Sequence, residues 1–284
     1  MTIDQALKSA GKKIGRYSAS PGLDAEVLLA SVLNRPKEFL YSHLHSPVPS
    51  VKSQRFNYLV RRRRQGVPAA YLVGQKEFFG LPFVVTPDTL VPRPESEAIV
   101  ERSLELLESL PYNKILEIGT GSGCIILSLA HHLQTTNNKP PTNLYATDVS
   151  SAALAVARSN AKRMRIDHIK FVHSDLFGGL AGRFDLIIAN LPYLTRTEYR
   201  ERRASLRHEP QIALTDNTDK LEVFHKFFLQ LPDHLDEDAT VLLEIGPSAK
   251  PIVTNLARRY LPAARLEFSR DLRGLWRYTE LTLR

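Results

Sequence analysis

The sequence has very little cysteine and no long hydrophobic segment. Cys124 is the single cysteine among 284 residues, so the chain cannot form an internal disulfide or a thiolate metal site, and we expect no structural metal. It contains no run of eighteen consecutive apolar residues, which excludes a membrane-spanning helix of ordinary length. The first residues also lack the apolar core of a signal peptide. The sequence therefore predicts a cytoplasmic protein without membrane association.

Internal repeats and low-complexity segments are absent as well, and 43% of the residues are hydrophobic, as in a globular protein. A chain of 284 residues is long for one core, so one large domain with a smaller one is expected. Lys and Arg outnumber Asp and Glu by 38 to 30. The resulting charge of +8 favours an acidic partner, either a nucleic acid or an acidic protein.

The pattern of the chain changes twice along its length. Residues 1–75 have apolar residues at helical spacing, as in "SASPGLDAEVLLASVLNR", and predict a small helical domain. Residues 76–94 mix aromatic and β-branched residues with several prolines, which suits a short β-hairpin connector. Over residues 95–284, a first helix is followed by short apolar runs that alternate with helical segments. This alternation predicts an α/β domain with a seven-stranded, mostly parallel, Rossmann-like sheet.

Seven stretches are predicted to be the strands of this sheet. In chain order they are "KILEIG", "NLYATD", "IKFVH", "FDLIIAN", "TVLLEIG", "RLEFS" and "WRYTELTL". The last two are separated only by "RDLRG", which is too short for a crossover helix. These two strands should therefore pair in the antiparallel direction.

A glycine-rich turn follows the first of these strands. In "ILEIGTGSGC", Gly119, Gly121 and Gly123 permit a tight turn and let a ligand approach the backbone. The helix predicted from about Cys124 directs its unpaired N–H groups toward that ligand. Nicotinamide-binding proteins use Gly-x-Gly-x-x-Gly, but the third glycine comes one position early here, and the spacing resembles that of S-adenosylmethionine (SAM) methyltransferases. The alternative is a set of ordinary turn glycines in a sheet that binds nothing.

Two carboxylates near this turn are candidate cofactor contacts. Asp148 closes the second strand, where it can accept hydrogen bonds from ribose hydroxyls, unless it only caps the following helix. Glu117 lies in the strand before the turn. It could bind the ammonium group of the methionine part of SAM, or it could pair with a neighbouring basic residue.

The fourth strand runs into Asn190, Leu191, Pro192 and Tyr193. Ligands of an open parallel sheet bind beyond the carboxyl ends of its strands, so this tetrapeptide should face the glycine turn. The side-chain oxygen of Asn190 and the backbone carbonyl of Leu191 could accept both N–H bonds of a planar NH2 group. Pro192 would fix the turn, and Tyr193 would stack on the flat group. An ordinary strand-end turn is the alternative, since Asn and Pro are common there.

The chain resembles the HemK-like release factor glutamine methyltransferases over nearly its whole length. The matching stretches are "LDAEVLLASVL", "PAAYLVGQKEFFGLPFVV", "LVPRPESE", "LEIGTGSGCI", "FDLIIANLPY", "HEPQIAL" and "RDLRG". The resemblance implies the SAM-dependent methyltransferase fold and methylation of the glutamine N5 nitrogen in the Gly-Gly-Gln motif of class I peptide chain release factors. It also implies that the N-terminal helical domain helps to dock the release factor. The family motif is Asn-Pro-Pro-Tyr, and Leu191 replaces its first proline.

Carried over by position, the resemblance implies two sets of site residues. Together with Glu117, the predicted cofactor contacts are Gly119, Thr120, Gly121, Ser122, Gly123, Asp148, Asp175, Leu176 and Asn190. The predicted substrate contacts are Asn190, Leu191, Pro192 and Tyr193, and all of these except Leu191 are predicted to be catalytic. Leu176 stands where some relatives carry Trp beside the adenine, so its contact would be apolar. Because only the carbonyl of residue 191 is needed, we expect its side chain to matter least and the activity to be retained.

Two other functions fit parts of the pattern. A nucleic-acid amino-methyltransferase, acting on adenine N6 or guanine N2, fits the charge and the same turn, although no extra domain for flipping a base is recognisable. The third hypothesis is a non-catalytic SAM-binding module whose turn has decayed at Leu191, and the intact Asn190, Pro192 and Tyr193 argue against it. We expect a monomer with a release factor as protein substrate and no stable nucleic-acid partner.

Overall fold

A computed structural model describes residues 1–136, 143–271 and 273–283, which fall into two compact units. The smaller unit comprises residues 1–75 with 203–208, and the larger one comprises residues 76–202 with 209–284. Leu272, part of the predicted connection "RDLRG", lies outside the described residues. Within the described ranges, no helix is both long enough and apolar enough to cross a bilayer.

The smaller unit is helical and has its own core. Its helices are α1 Ile3–Ile14, α2 Pro21–Leu33, α3 Lys37–Ser42, α4 Ser50–Arg64 and α5 Ala69–Val73. Thr2 and Gln5 form a reciprocal capping box that starts α1. Arg63 of α4 donates to Asp24 of α2 at 2.6 Å, which joins these two helices at the edge of the core. The apolar residues that the helical spacing of α4 places on one face are all buried, namely Phe56, Leu59 and Val60.

The larger unit contains a two-stranded and a seven-stranded sheet. The small sheet consists of β1 Gln75–Phe78 and β2 Leu81–Val84. The large sheet consists of β3 Lys114–Ile118, β4 Asn143–Asp148, β5 Ile169–His173, β6 Phe184–Ala189, β7 Leu235–Glu244, β8 Arg265–Arg270 and β9 Trp276–Thr282. The α-helices that the structure describes after residue 75 are α6 Glu97–Ser109, α7 Cys124–Thr135, α8 Ser151–Met164, α9 Arg196–Leu206, α10 Glu222–Gln230 and α11 Lys250–Tyr260.

The strand order of the large sheet is β5-β4-β3-β6-β7-β9-β8. The strands from β3 to β7 pair in the parallel direction, and β9 is antiparallel to both of its neighbours. The predicted α/β class, the mostly parallel seven-stranded sheet and the antiparallel pairing of the last two strands are therefore confirmed. One difference is that β7 begins at Leu235, whereas the prediction began at Thr240. The prediction missed the first half of the strand because its exposed acidic residues interrupt the apolar pattern.

Both faces of the large sheet are covered by helices. Leu116 of β3 and Ile187 of β6 pack in one core with side chains of α10 and α11. Their sequence neighbours Ile115 and Leu186 point to the opposite face, where they pack with α6 and α7. A ligand has no access to these covered faces, so the carboxyl ends of the strands are the place for a site.

Candidate active site

A cavity of about 460 Å³ lies at the carboxyl ends of β3, β4 and β6. It is lined by most of the residues predicted from the two motifs, namely Glu117, Gly119, Thr120, Gly121, Ser122, Asp148, Asp175, Leu176, Asn190, Leu191 and Pro192. Gly123 and Tyr193 are adjacent in sequence to residues that line the cavity, but they do not line it themselves. The glycine turn and the Asn-Leu-Pro-Tyr turn therefore meet in one cavity.

The glycine turn is tied to the neighbouring strand β4 by backbone hydrogen bonds. The N–H groups of Gly119 and Thr120 both donate to the carbonyl oxygen of Thr147 at 2.9 Å. The N–H of Gly121 donates to the carboxylate of Asp148 at 2.8 Å. These bonds fix the path of the chain between β3 and α7 before any ligand binds.

Gly119 is the point at which the two turns touch. Its φ is 77°, and a Cβ at this position would lie 2.6 Å from the backbone oxygen of Asn190, so only glycine fits. At Gly121, by contrast, a Cβ would meet no atom within 4 Å, which leaves the turn open on that side. At Gly123, a Cβ would lie 2.8 Å from a methyl carbon of Leu127 in α7, so this glycine allows the helix to pack closely. The cofactor contact predicted for Gly123 stays a prediction.

Glu117 is a buried carboxyl group on the wall of the cavity. Its side chain is 1% exposed and accepts a hydrogen bond from the hydroxyl of Thr120. Burial raises the pKa of Glu117 to about 8, although the Thr120 hydroxyl and the N–H of Ile126 act in the opposite direction. These contacts are a hydroxyl and a backbone amide rather than the basic neighbour of the alternative interpretation. A carboxyl of this kind is protonated at neutral pH and can ionise when a cation binds beside it.

Asp148 and Asn160 support the turn from β4 and α8. Asp148 accepts two backbone N–H bonds at 2.8 Å, one on each oxygen, and burial raises its pKa. Each oxygen keeps a further lone pair for a ligand hydroxyl. Asn160 is fully buried and donates to the carbonyl oxygens of Val84 and Ser122, so it joins β2 to the glycine turn.

Asp175 and Leu176 contribute another part of the wall. Leu176 is buried in the core and has a φ of 53°, which is unusual for a residue with a side chain. The hydroxyl of Ser174 lies 2.9 Å from the Leu176 carbonyl oxygen and stabilises this turn. The adenine contact predicted for Leu176 stays a prediction, and it would be apolar.

Residues at the end of β7 support the Asn-Leu-Pro-Tyr turn. The side-chain Nδ2 of Asn190 donates to Glu244 Oε2 at 3.0 Å, and the Tyr193 hydroxyl and this carboxyl group influence each other's pKa. The Tyr193 ring lies against Gly246, where a Cβ would come within 3.0 Å of a ring carbon. Burial raises the pKa of Tyr193. Stacking of this ring on a substrate stays a prediction.

Leu191 has a packing role that the sequence analysis did not predict. The side chain is 3% exposed and belongs to the core that covers one face of the sheet, so it contributes to stability. The expectation that this side chain matters least for the activity stays a prediction. The role predicted for its backbone carbonyl is a separate matter and is unaffected.

The segment "HEPQIAL", whose sequence predicts an ordered loop over the catalytic turn, belongs to the lining of the cavity. Residues between 210 and 218 line it, directly after the buried Glu209. Both carboxylate oxygens of Glu209 accept from Arg93, at 2.6 and 2.8 Å, and one also accepts from the N–H of Val91. The sequence analysis missed Ser96, which lines the cavity, and also Glu244 and Gly246, which support the Asn-Leu-Pro-Tyr turn without lining the cavity. The available signal for Glu244 was a carboxylate in an apolar strand, since "LLEIG" repeats the "LEIG" of β3.

The class of protein follows from this sheet, this turn and the matching family models. A model described as "PrmC N-terminal domain" matches residues 5–74, and one described as "Methyltransferase small domain" matches residues 100–240. The chain is a methyltransferase.

The family is shown by curated relatives. A release factor glutamine methyltransferase from Shewanella oneidensis is 35% identical over 246 residues, which cover 86% of this chain and 83% of the relative. One from Moorella thermoacetica is 36% identical over 263 residues, which cover 91% of this chain and 90% of the relative. A bifunctional methyltransferase from Rickettsia prowazekii is 34% identical, and the match covers 91% of this chain and 53% of that protein. The chain belongs to the release factor glutamine methyltransferase family.

Solved structures of low sequence identity share the fold. The catalytic domain of hMettl16, in complex with a 3′UTR hairpin, has a TM-score of 0.55 at 17% identity, and the match covers 83% of this chain and 82% of that one. The 16S rRNA methyltransferase RsmC of T. thermophilus, in complex with AdoMet and guanosine, has a TM-score of 0.52 at 14% identity, and the match covers 74% of this chain and 50% of that one. At this identity the likeness concerns the fold alone.

Proposed function

We propose that the chain transfers a methyl group from SAM to the N5 amide nitrogen of the glutamine in the Gly-Gly-Gln motif of class I peptide chain release factors. Family membership and the arrangement of Asn190 support the proposal. The Nδ2 of Asn190 is engaged by Glu244, which leaves its Oδ1 to accept a bond from a ligand in the cavity. A glutamine side chain ends in an NH2 group that needs such an acceptor.

The size of the cavity and the groups that line it fit SAM, which carries its methyl group on a positively charged sulfur. The cavity of about 460 Å³ lies in the range of small-molecule sites. Gly121 leaves the turn open for a ligand, and Asp148 has lone pairs for ribose hydroxyls. Glu117 would ionise against the ammonium group, and Leu176 would contact the adenine. We propose Thr120, Ser122, Asp175 and Asn190 as further contacts.

The Asn-Leu-Pro-Tyr turn would hold the substrate amide. Asn190 Oδ1 and the Leu191 carbonyl would accept its two N–H bonds, which directs the nitrogen lone pair toward the methyl group. The same two acceptors stabilise the positive charge that develops on the nitrogen. Pro192 restricts the backbone of Leu191, and Tyr193 would stack on the amide. The methylated nitrogen is acidic and loses its proton to water, so no side-chain base is required.

The other parts of the proposal concern domains and partners. Residues 1–75 would help to dock the release factor, and residues 95–284 would form the methyltransferase domain. Residues 76–94 would be the connector between these two domains. The net charge of +8 suits an acidic protein surface. We propose a monomer without a stable nucleic-acid partner. A release factor substrate implies that the enzyme acts in the cytoplasm, where translation takes place.

The experiment is a comparison of substrates with methyl-labelled SAM. A purified release factor, RNA and DNA are incubated separately with the enzyme, and the label is mapped by mass spectrometry. The label is expected on the Gly-Gly-Gln glutamine and absent from a release factor with Gly-Gly-Ala. Label confined to nucleic acid would reject the proposal in favour of an adenine N6 or guanine N2 methyltransferase. SAM binding without any label would favour a non-catalytic SAM-binding module.

The affinity for SAM is expected to increase with pH between about 6 and 7.5, by up to about tenfold per pH unit. Glu117, with a pKa of about 8, holds a proton in this range when no ligand is bound. A bound ammonium group favours the ionised carboxylate, so binding releases a proton and is stronger at higher pH. The rise ends where the ammonium group itself titrates, near about pH 8. Calorimetry in buffers of different ionisation enthalpy measures both the affinity and the released proton.

Two controls identify Glu117 as the group that titrates. Glu117→Gln should remove the pH dependence, and so should methylthioadenosine as the ligand, because it lacks the amino acid part of SAM. An undiminished pH dependence in either control would show that another group, such as Asp148, is responsible.

Leu191→Pro is expected to keep the methylation rate within about threefold of the wild type, since the backbone carbonyl is retained. It should nevertheless lower the free energy of unfolding by about 2 kcal/mol, because the buried leucine side chain is lost. Single-turnover rates and urea denaturation measure the two effects. Leu191→Ala is the matched control, since it loses the same packing without the ring. A folded Leu191→Pro enzyme without turnover would contradict the role of the carbonyl.

A further inference from the structure

Glu244 lies at the end of β7, directly beneath the Asn-Leu-Pro-Tyr turn. Its side chain is buried, with 4% of the residue exposed. Its Oε2 accepts from Ser96 Oγ at 2.6 Å and from Asn190 Nδ2 at 3.0 Å, and the nearby Tyr193 hydroxyl lowers the pKa of the carboxyl group. The two polar residues of the turn therefore both interact with one acidic group.

This position is costly for an acid, so the donors around it matter. Burial raises the pKa of Glu244, while the hydroxyl donors and the charge of Arg277 act in the opposite direction. Arg277 itself is ion-paired with Asp271 at 2.8 Å and lies 3.5 Å from Glu95. An unpaired carboxylate in the same place would be strongly unfavourable. An apolar residue at the end of β7 would avoid this cost, and it would leave Asn190 without its partner.

The consequence for Asn190 is a fixed orientation of its amide. The oxygen and the NH2 of an asparagine side chain have nearly the same shape, so only hydrogen-bond partners decide which way the group faces. Glu244 Oε2 accepts from both Ser96 Oγ and Asn190 Nδ2, and a carboxyl oxygen that accepts two hydrogen bonds has no proton to donate. The NH2 of Asn190 must therefore face Glu244, and its Oδ1 must face away from it.

We propose that Glu244 is a positioning residue that sets the amide orientation of Asn190, so that Oδ1 rather than NH2 is presented to the substrate nitrogen. This rests on the proposed function, in which Asn190 Oδ1 accepts an N–H of the glutamine. With the amide reversed, NH2 would face NH2, and the acceptor for the substrate would be lost.

A series of substitutions at residue 244 tests this role. Glu244→Met fills a similar volume without an acceptor, and it should lower kcat on the release factor about 100-fold, as expected for a misplaced catalytic group. Glu244→Gln keeps an oxygen for Asn190 and should restore kcat to within about tenfold of the wild type. The dissociation constant for SAM should change little across the series. Glu280→Gln is the matched control, because Glu280 is also buried, lies on the neighbouring strand β9 and bonds to Arg102 instead.

The decisive variant reverses the polarity of the hydrogen bond. In Asn190→Asp, two carboxyl groups face each other and the bond is lost or must share a proton. In the double variant Asn190→Asp with Glu244→Gln, the new amide at position 244 donates to the new carboxylate at position 190, whose other oxygen is free to accept from the substrate. We expect Glu244→Gln to slow the enzyme that retains Asn190 and to accelerate the Asn190→Asp enzyme. A merely structural role predicts additive losses without this reversal.

A measurement on the wild-type protein keeps the test independent of folding and of activity. In protein labelled with 15N-asparagine, the side-chain amide signal of Asn190 is assigned by its loss in Asn190→Asp. Its protons should exchange slowly with solvent, because one is held by a buried carboxylate. Fast exchange, or additive losses in the double variant, would overturn the inference. Wild-type enzyme that leaves the release factor unmethylated but shows slow exchange would overturn the proposed function and leave the orientation of Asn190 supported.

Discussion

Replacing Asn190 by alanine is expected to lower the rate of methyl transfer to the release factor glutamine by about 100-fold or more. The substitution removes the side-chain oxygen that would accept a substrate N–H, and it introduces no bulk into the cavity. The affinity for SAM should fall by less than about tenfold, because Asn190 is only one of the proposed SAM contacts and the turn glycines, Asp148 and Glu117 are untouched. Single-turnover methylation at saturating SAM measures the rate, and calorimetry measures the affinity.

Two further variants show whether the loss is specific to the amide. Asn190→Gln keeps the amide but moves its oxygen by one methylene group, and it should lose most of the rate as well. Asn255→Ala, on the exposed face of α11, should behave like the wild type. An Asn190→Ala enzyme that kept more than about one tenth of the wild-type rate would remove Asn190 from the proposed mechanism.

The same substitution is expected to affect stability, so the two effects must be separated. Alanine leaves Glu244 without the Asn190 donor, and a buried group that loses a partner costs about 1 to 3 kcal/mol. The thermal midpoint should therefore fall even where SAM binding is intact. Rates should be measured well below that midpoint, so that the loss of turnover is not a loss of folded enzyme.

Much of the sheet could be predicted from the sequence because buried parallel strands are continuous apolar runs. "KILEIG" and "FDLIIAN" are of this kind. Each also has a polar residue near its end, Glu117 and Asn190, and a polar residue in a buried strand indicates a site. The glycine turn was equally predictable, because a tight turn with positive φ favours glycine, and Gly119 does have a positive φ. Local pattern and local geometry agree at these positions.

The supporting residues were not predictable in the same way because they come from distant parts of the chain. Asn190 and Glu244 are 54 residues apart in sequence, and Ser96 and Glu244 are 148 apart. Their contact depends on β6 and β7 being neighbours in the sheet, and on the 3-10 turn before α6 reaching the end of β7. Sequence spacing carries no information about such contacts.

Leu191 and Tyr193 show a related limit. Their order along the turn predicts which backbone carbonyl could accept a hydrogen bond from the substrate. It does not predict which of the two side chains faces the core. Leu191 is buried among apolar residues, and the Tyr193 ring lies against the backbone of Gly246. The close contact of Gly246 with the Tyr193 ring joins two residues that are far apart in sequence, so the sequence around either one does not predict it.

Gly119→Ala is the second substitution with a large expected effect. A Cβ at this position would lie 2.6 Å from the backbone oxygen of Asn190, and the φ of 77° is unfavourable for alanine. The strained backbone costs about 1 to 2 kcal/mol. The steric clash adds about 1 to 3 kcal/mol, because either the glycine turn or the Asn190 backbone must move. Methyl transfer should fall about 100-fold or more, since a displacement of about 1 Å is enough to misalign the reacting groups.

Gly121→Ala separates the clash from the backbone strain. Its φ of 56° is also positive, but a Cβ there would meet no atom within 4 Å. Without SAM, Gly121→Ala should lose only the strain energy, about 1 to 2 kcal/mol, and Gly119→Ala should lose clearly more. Urea denaturation of the two ligand-free proteins measures the difference. Equal losses would mean that the two turns are not in close contact at Gly119. The two halves of the site would then be coupled through the pairing of β3 with β6 and the hydrogen bond from the N–H of Asn190 to the Ile118 carbonyl.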